Sequence, residues 1–202
     1  MFNTTASVTH ITPLPRGSQY PPSLISLLHS HIYFIECNPH TTHHELIPAS
    51  SSPSPAPELP PDREVRDLKG SEGPTLYSVT DRVHTLPAGL WDSDVVSTYE
   101  FFNTVSGIFV RIRSPLNVVM ETEWIVRRRG TGESGSSGSS SDEEKGEGGG
   151  DDGVEESDEW ELVEDVVIKC SRFLVGVVKS TCENGWESIH ETMMDKLKQA
   201  TA

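Results

Sequence analysis

The residues best suited to metal binding lie in one stretch near the start of the chain, which holds His29, His31, Cys37, His40, His43 and His44. His29 and His31 are two positions apart, so on a helix they point to different sides. Cys37, His40 and His43 are spaced three residues apart, but a proline and two threonines between them indicate a loop. Zinc needs three or four convergent ligands, and no second ligand cluster follows. We therefore predict no metal site and no cofactor.

Acid–base catalysis would need carboxylates or imidazoles at the edge of a pocket. Asp81 with His84, or Glu121 with Glu123, provide such groups on predicted strands. The two glutamates are explained equally well as charges on the solvent side of a strand, where every second residue points the same way. We predict a protein that is not an enzyme, and we name Asp81, His84 and Glu123 as the residues that a catalytic site would use.

Covalent catalysis would need a nucleophile next to a base. Cys170 and Cys182 occur at apolar positions of their predicted elements, which favours buried and unreactive thiols. With Cys37 they make three cysteines, which cannot all pair within one chain. We expect a reducing cytoplasmic compartment, with the nucleus as an alternative.

A group of large apolar residues is sufficient to line a pocket: Tyr99, Phe101, Phe109, Met120, Trp124, Cys182, Trp186 and Ile189. The same residues would equally well fill a packed core. The sequence leaves both alternatives open.

Ser139, Ser140 and Ser141 are each followed three residues later by an acidic residue. Acid-directed kinases of the casein-kinase type favour such sites, and phosphates there would make the surrounding segment more negative. An inert acidic spacer is the alternative.

The elements that must position these residues alternate between strand and helix. Thr5–Thr12 is rich in β-branched residues, and a helix is predicted to begin at Pro21-Pro22 and to end before Asn38-Pro39. A short strand is predicted at Glu45–Ile47. Further strands follow with turn-like separators, which predicts an antiparallel meander: Leu76–Thr85, Val95–Asn103, Ile108–Arg113, Val118–Arg128 and Trp160–Cys170.

The last element is predicted to be a long amphipathic helix that packs its apolar face on the sheet. Its apolar residues recur at steps of three or four: Val178, Cys182, Trp186, Ile189, Met193, Leu197 and Ala200. The order of elements predicts an α+β fold.

Charge and composition divide the chain unevenly. Of its 31 acidic residues, 14 lie between Gly130 and Asp165, with one base there, so the remaining sequence carries a net charge of −2 out of −15. We predict one domain over residues 1–202, interrupted by a Pro/Ser-rich loop at 49–73 and an acidic disordered insertion at 130–159. The nearly neutral remainder argues against nucleic-acid binding, and no apolar run is long enough for an integral membrane segment.

Several short motifs occur in a characteristic order: Ile11-Thr12-Pro13-Leu14-Pro15, Asn38-Pro39, Tyr77-Ser78-Val79-Thr80-Asp81, Leu86-Pro87-Ala88-Gly89, Arg113-Ser114-Pro115 with Trp124, and Leu162-Val163-Glu164-Asp165-Val166 with Cys170. Over about Thr5 to Ala200 the chain resembles an uncharacterised filamentous-fungal family, a domain of unknown function with a START-like (SRPBCC, helix-grip) fold. It departs from that pattern in its long acidic insertion and at Leu116-Asn117, where a glycine is expected.

The resemblance implies a curved antiparallel sheet that grips the C-terminal helix and leaves a cavity between them. Relatives with this fold hold lipids, sterols, polyketides or plant hormones, and a minority catalyse cyclisation or dehydration. The first hypothesis is therefore a non-enzymatic binder of an apolar small molecule or lipid. The alternatives are an enzyme of the polyketide-cyclase type and an interaction platform that binds a protein partner through its acidic insertion.

Overall fold

The structure, a computed structural model, describes residues 3–17, 19–48, 74–84, 92–129 and 159–201. It confirms an α+β architecture in which a seven-stranded antiparallel sheet is combined with a long C-terminal helix. The predicted loop at 49–73, the phosphorylation candidates Ser139, Ser140 and Ser141, and all of the acidic insertion except Glu159 lie outside the described residues.

Six of the strands follow the predicted positions closely and are mostly longer at their ends. The second strand begins at Thr41, four residues before the predicted Glu45, so the prediction of a loop through His43 was wrong. The strands are β1 (Asn3–Pro13), β2 (Thr41–Leu46), β3 (Thr75–His84), β4 (Asp92–Asn103), β5 (Gly107–Ser114), β6 (Val118–Arg128) and β7 (Trp160–Ser171).

The sheet has the order β1-β7-β6-β5-β4-β3-β2, and all neighbours are antiparallel. From β2 to β7 each strand pairs with the next one in sequence, which is the predicted meander. The first strand then pairs with the last, so β1 lies beside β7 with His10 directly opposite Glu164.

Two short helices stand where one was predicted. Helix α1 spans Tyr20–His29 and α2 spans His31–Ile35. Ser30 between them has a non-helical backbone, with φ −85° and ψ 84°. The prolines at the start of α1 occupy first-turn positions, where the missing N–H costs no helical hydrogen bond.

The C-terminal helix α3 spans Val175–Thr201 and packs on one face of the sheet together with α1. We call this the inner face; it carries Tyr99, Trp124 and Glu164. The second half of α3 is buried there, with Met193 and Leu197 fully inaccessible. The first half is only partly buried, and the predicted apolar stripe ends at Leu197 because Ala200 is exposed. The helix therefore seals the core at its C-terminal half and leaves a looser layer at its N-terminal half.

The outer face of the sheet carries a buried ion network. Arg111 on β5 contacts Glu100 on β4 at 2.9 Å and Glu121 on β6 at 3.3 Å. Arg113 also contacts Glu100, and Lys169 on β7 contacts Glu121. Each charge has a partner on a neighbouring strand, which offsets the cost of removing it from water.

The turn between β5 and β6 is a single 3₁₀ turn, Pro115–Asn117. Leu116 and Asn117 have φ values of 61° and 58°. This is the left-handed conformation that usually requires glycine, so the chain keeps a glycine-type turn with a leucine in it.

Candidate functional site

A row of three side chains crosses the inner face of the sheet. His10 on β1 pairs with Glu164 on β7, and Glu164 pairs in turn with Trp124 on β6. Side chains directly opposite each other on antiparallel strands point to the same face and lie close together. The sheet register thus places an imidazole, a carboxylate and an indole side by side.

Glu164 is the centre of a buried polar cluster. Its Oε2 accepts hydrogen bonds from His10 Nδ1 at 2.9 Å and from His190 Nε2, on α3, at 3.3 Å. The other ring nitrogen of His190, Nδ1, is hydrogen-bonded to Thr12 Oγ1 at 2.6 Å. His10, Glu164 and His190 are 7%, 8% and 2% exposed. The cluster therefore ties the helix to both strands away from water.

Two opposing effects act on the Glu164 carboxyl. Burial would raise its pKa, but the hydrogen bonds from His10 and His190 outweigh burial, and the net pKa is lowered. The group is therefore a carboxylate at neutral pH. Its second oxygen, Oε1, accepts no hydrogen bond from the described residues.

Aromatic rings enclose the polar cluster. The Trp186 ring stacks on His10 with centroids 4.7 Å apart, and the Trp124 ring lies 4.9 Å from His190. Trp124 is 2% exposed, and its Nε1 has no hydrogen-bond partner among the described residues. Most buried indole N–H groups have a partner, so this donor is unusual.

The cluster lies in the wall of a cavity of about 180 Å³ between the inner face and the first half of α3. Six of the eight predicted cavity residues line it: Tyr99, Met120, Trp124, Cys182, Trp186 and Ile189. Phe101 is buried in the core beside Phe34 and His31, and Phe109 lies on the outer face beside Phe102 and Arg111.

A second pocket of about 410 Å³ adjoins the cavity and shares Tyr99, Ile112, Met120 and Gly185 with it. Gly185, on α3, borders both spaces, and a Cβ atom added there would meet no atom within 4 Å. The glycine therefore marks a point where the helix leaves room beside the cavity.

A family model described as a domain of unknown function, DUF7053, matches residues 3–199. The chain belongs to this family. No curated protein matches it.

Of the proposed acid–base residues whose side chains the structure describes, Asp81 alone lines one of these two pockets of the DUF7053 chain. Asp81 lines the second pocket, the one of about 410 Å³, and accepts hydrogen bonds from Thr41 Oγ1 at 2.7 Å and Tyr99 Oη at 3.0 Å. Burial, followed by the charge of Asp81, holds the pKa of Tyr99 well above its ordinary value, so the phenol stays protonated and donates. Glu123 faces outward opposite Asp165, and His84 ends β3 with its side chain outside the described part of the structure.

The three cysteines of the DUF7053 chain are free thiols. Burial raises the pKa of Cys37 and of Cys182 to about 11, and Glu164 adds to the effect at Cys182. Burial also raises the pKa of Cys170. None of the three is poised as a nucleophile, because the thiolate is the reactive form.

The histidines near the start of the DUF7053 chain have structural contacts. His29 Nε2 lies 2.8 Å from the Gly107 carbonyl oxygen, and His31 Nε2 lies 3.0 Å from Asn103 Oδ1. Burial lowers the pKa of His31, although its hydrogen bond to Asn103 acts in the opposite direction. Within the described ranges, no three His, Cys, Asp or Glu side chains are placed to hold a metal ion. No described helix is long and apolar enough to cross a membrane.

His10, Glu164 and His190 were not predicted to be site residues. One signal was present: Glu164 shares its strand parity with Leu162, Val166 and Ile168, all of which are buried. A carboxylate on an apolar strand face needs buried partners. The partners themselves come from elements far away in the chain.

Proposed function

We propose that this protein is a START-like, helix-grip domain that binds an apolar small molecule or lipid between its sheet and its C-terminal helix. The observation that carries the proposal is the cavity of about 180 Å³, which is lined by Trp124, Trp186 and Tyr99 and has His10 and Glu164 of the polar cluster in its wall. Ligand sites are typically apolar concavities with a few convergent polar groups.

The architecture supports the helix-grip assignment. An antiparallel sheet whose first and last strands are neighbours carries one long helix across its inner face. The cavity alone is smaller than the roughly 300–1,000 Å³ of common ligand sites, but the adjoining pocket of about 410 Å³ extends it into that range. The family resemblance implies a cavity in this same place.

Gly185 provides a direct test, because a side chain there would grow into open space beside the cavity. We expect Gly185→Leu to fold and to weaken binding of the neutral fluorescent probe N-phenyl-1-naphthylamine at least tenfold. Gly176→Leu is the matched control: Gly176 lies on the same helix, a Cβ atom added there also meets no atom within 4 Å, and the residue lines neither pocket. Native mass spectrometry of protein from its own host would identify a co-purified ligand. Absence of probe binding to the wild type, with no co-purified molecule, would refute the proposal.

An enzyme of the polyketide-cyclase type is the second candidate, and the His10–Glu164 pair favours it. A carboxylate that accepts from Nδ1 of a histidine orients the ring, and the other nitrogen is then placed for proton transfer. Asp81, which lines the second pocket, would be a further acid–base group. Incubation of wild type and Glu164→Gln with a small-molecule extract separates the candidates: conversion of one component by the wild type alone indicates catalysis, and retention without conversion indicates binding.

A further inference from the structure

Trp124 and Glu164 form an unusual pair on the inner face. They are directly opposite each other on β6 and β7, and both line the cavity. Trp124 Nε1 donates to no described residue, and Glu164 Oε1 accepts from none. A buried donor without a described partner therefore belongs to the residue directly opposite a carboxylate on the cavity wall.

Few ligand groups can accept a hydrogen bond from Trp124 Nε1 and also donate one to Glu164 Oε1. A hydroxyl oxygen accepts one hydrogen bond and donates another, so one group serves the indole and the carboxylate together. A ketone or ether only accepts, which leaves Glu164 Oε1 unsatisfied. An ammonium only donates, which leaves Trp124 Nε1 unsatisfied.

Charge disfavours an anionic ligand group at this position. Glu164 is ionised, and the described residues that line the cavity include no lysine or arginine; the basic side chains there are the imidazoles of His10 and His40. A ligand carboxylate would place a second negative charge beside the first in a poorly solvated space, where like charges repel strongly. The site therefore disfavours fatty acids and similar anions.

We infer that the cavity wall formed by Trp124 and Glu164 binds the hydroxyl group of a neutral, otherwise apolar ligand, an alcohol or a phenol, with Trp124 Nε1 donating to its oxygen and Glu164 accepting its hydrogen. This inference rests on the proposed ligand-binding function and specifies the ligand class. The flat rings of Trp186 and Trp124 fit an aromatic or alicyclic body behind the hydroxyl. The cavity of about 180 Å³ equals the volume of roughly six liquid waters, which limits the enclosed part to a small ring system.

The test compares four probes of one size by equilibrium dialysis: 1-naphthol, naphthalene, 1-methoxynaphthalene and 1-naphthoate. We expect wild-type protein to bind 1-naphthol about twenty-five-fold more tightly than naphthalene, since the hydroxyl makes two hydrogen bonds and each contributes a factor of about five. 1-Methoxynaphthalene, which accepts but does not donate, should bind less tightly than 1-naphthol. 1-Naphthoate should bind most weakly.

Trp124→Phe removes the donor and keeps an aromatic ring. It should weaken 1-naphthol binding about fivefold and leave naphthalene binding unchanged. Trp160→Phe is the matched control, because Trp160 packs against the core from β7 and does not line the cavity. It should change neither affinity.

The possible results distinguish the proposed binding function from the proposed preference for a hydroxyl group. Equal wild-type affinities for 1-naphthol and naphthalene, or tightest binding of 1-naphthoate, would overturn the hydroxyl inference and leave the binding function standing. Binding of none of the four probes would overturn both. The wild-type series decides the question even if Trp124→Phe does not fold.

Discussion

Truncating α3 at two matched positions tests how the helix is divided between core and cavity. Leu197→Ala and Ile189→Ala each remove three carbon atoms from the same helix. Leu197 is fully buried in the core, whereas Ile189 is partly buried and lines the cavity. The two changes are therefore chemically equal but differ in their surroundings.

The buried position should lose more stability. Three buried carbons contribute about 2.4 kcal/mol by transfer, and the void left in a packed core adds to this, so Leu197→Ala should lower the free energy of unfolding by about 3–4 kcal/mol. At Ile189 part of the side chain already faces the cavity, and its removal enlarges a space that exists. We expect a loss of about 1–1.5 kcal/mol there.

Urea denaturation of both variants measures these losses, and a titration with N-phenyl-1-naphthylamine measures binding. Ile189→Ala should weaken binding of the probe, whereas Leu197→Ala should leave it unchanged. A loss at Ile189 as large as that at Leu197, together with unchanged probe affinity, would show that the first half of α3 is packed as tightly as the second. The cavity would then not be a ligand site.

Three further changes test other features. Leu116→Gly should raise the free energy of unfolding by about 0.5–1 kcal/mol in urea denaturation, because it relieves the left-handed conformation at φ 61°, whereas Leu116→Ala should give no such gain. Cys37 and Cys182, with pKa values raised to about 11, should react with a disulfide reagent at pH 8 more than about a hundredfold slower in native than in urea-unfolded protein. Because folding raises these pKa values, the two thiols contribute their full stabilisation below about pH 8.5, and this contribution is lost as the pH rises towards 11. Equal reaction rates of the thiols in native and unfolded protein would contradict the raised pKa values. Arg111→Met leaves two buried carboxylates without their shared partner and should cost about 3–5 kcal/mol, whereas Arg82→Met, which breaks an exposed pair, should cost at most about 1 kcal/mol; equal losses in thermal or urea unfolding would refute the network's role.

Local sequence patterns were enough to predict most elements of the fold. Strand β6 occupies Val118–Arg128, as its alternation predicts, and α3 extends the predicted apolar stripe by a few residues at its start. The break at Ser30, which divides one predicted helix into two, was not predicted. The residues on either side of it contact distant parts of the chain: His29 reaches the Gly107 carbonyl oxygen, and His31 reaches Asn103 and stacks on Phe101.

Candidate pocket residues were predicted only where periodicity places them on the inner face. Tyr99, Trp124 and Trp186 line the cavity, but Phe109 lies on the opposite face because it alternates with the core residues Ile108 and Val110 on β5. Glu121 has the same outward parity on β6 and belongs to the ion network rather than to a pocket. The size and apolar character of a side chain do not by themselves show whether it lies on the inner or the outer face of the sheet.

The sequence by itself determined the α+β class, the meander and the amphipathic helix, because side-chain periodicity and turn residues act over a few positions. The tertiary structure decided the site. His10 and Glu164 are 154 positions apart, and His190 reaches the same carboxylate from 26 positions further along. Only the pairing of the first strand with the last, and the packing of α3 across both, brings these groups within hydrogen-bonding distance. Strand register between distant segments is set by the packing of a whole face, so no local pattern contains it.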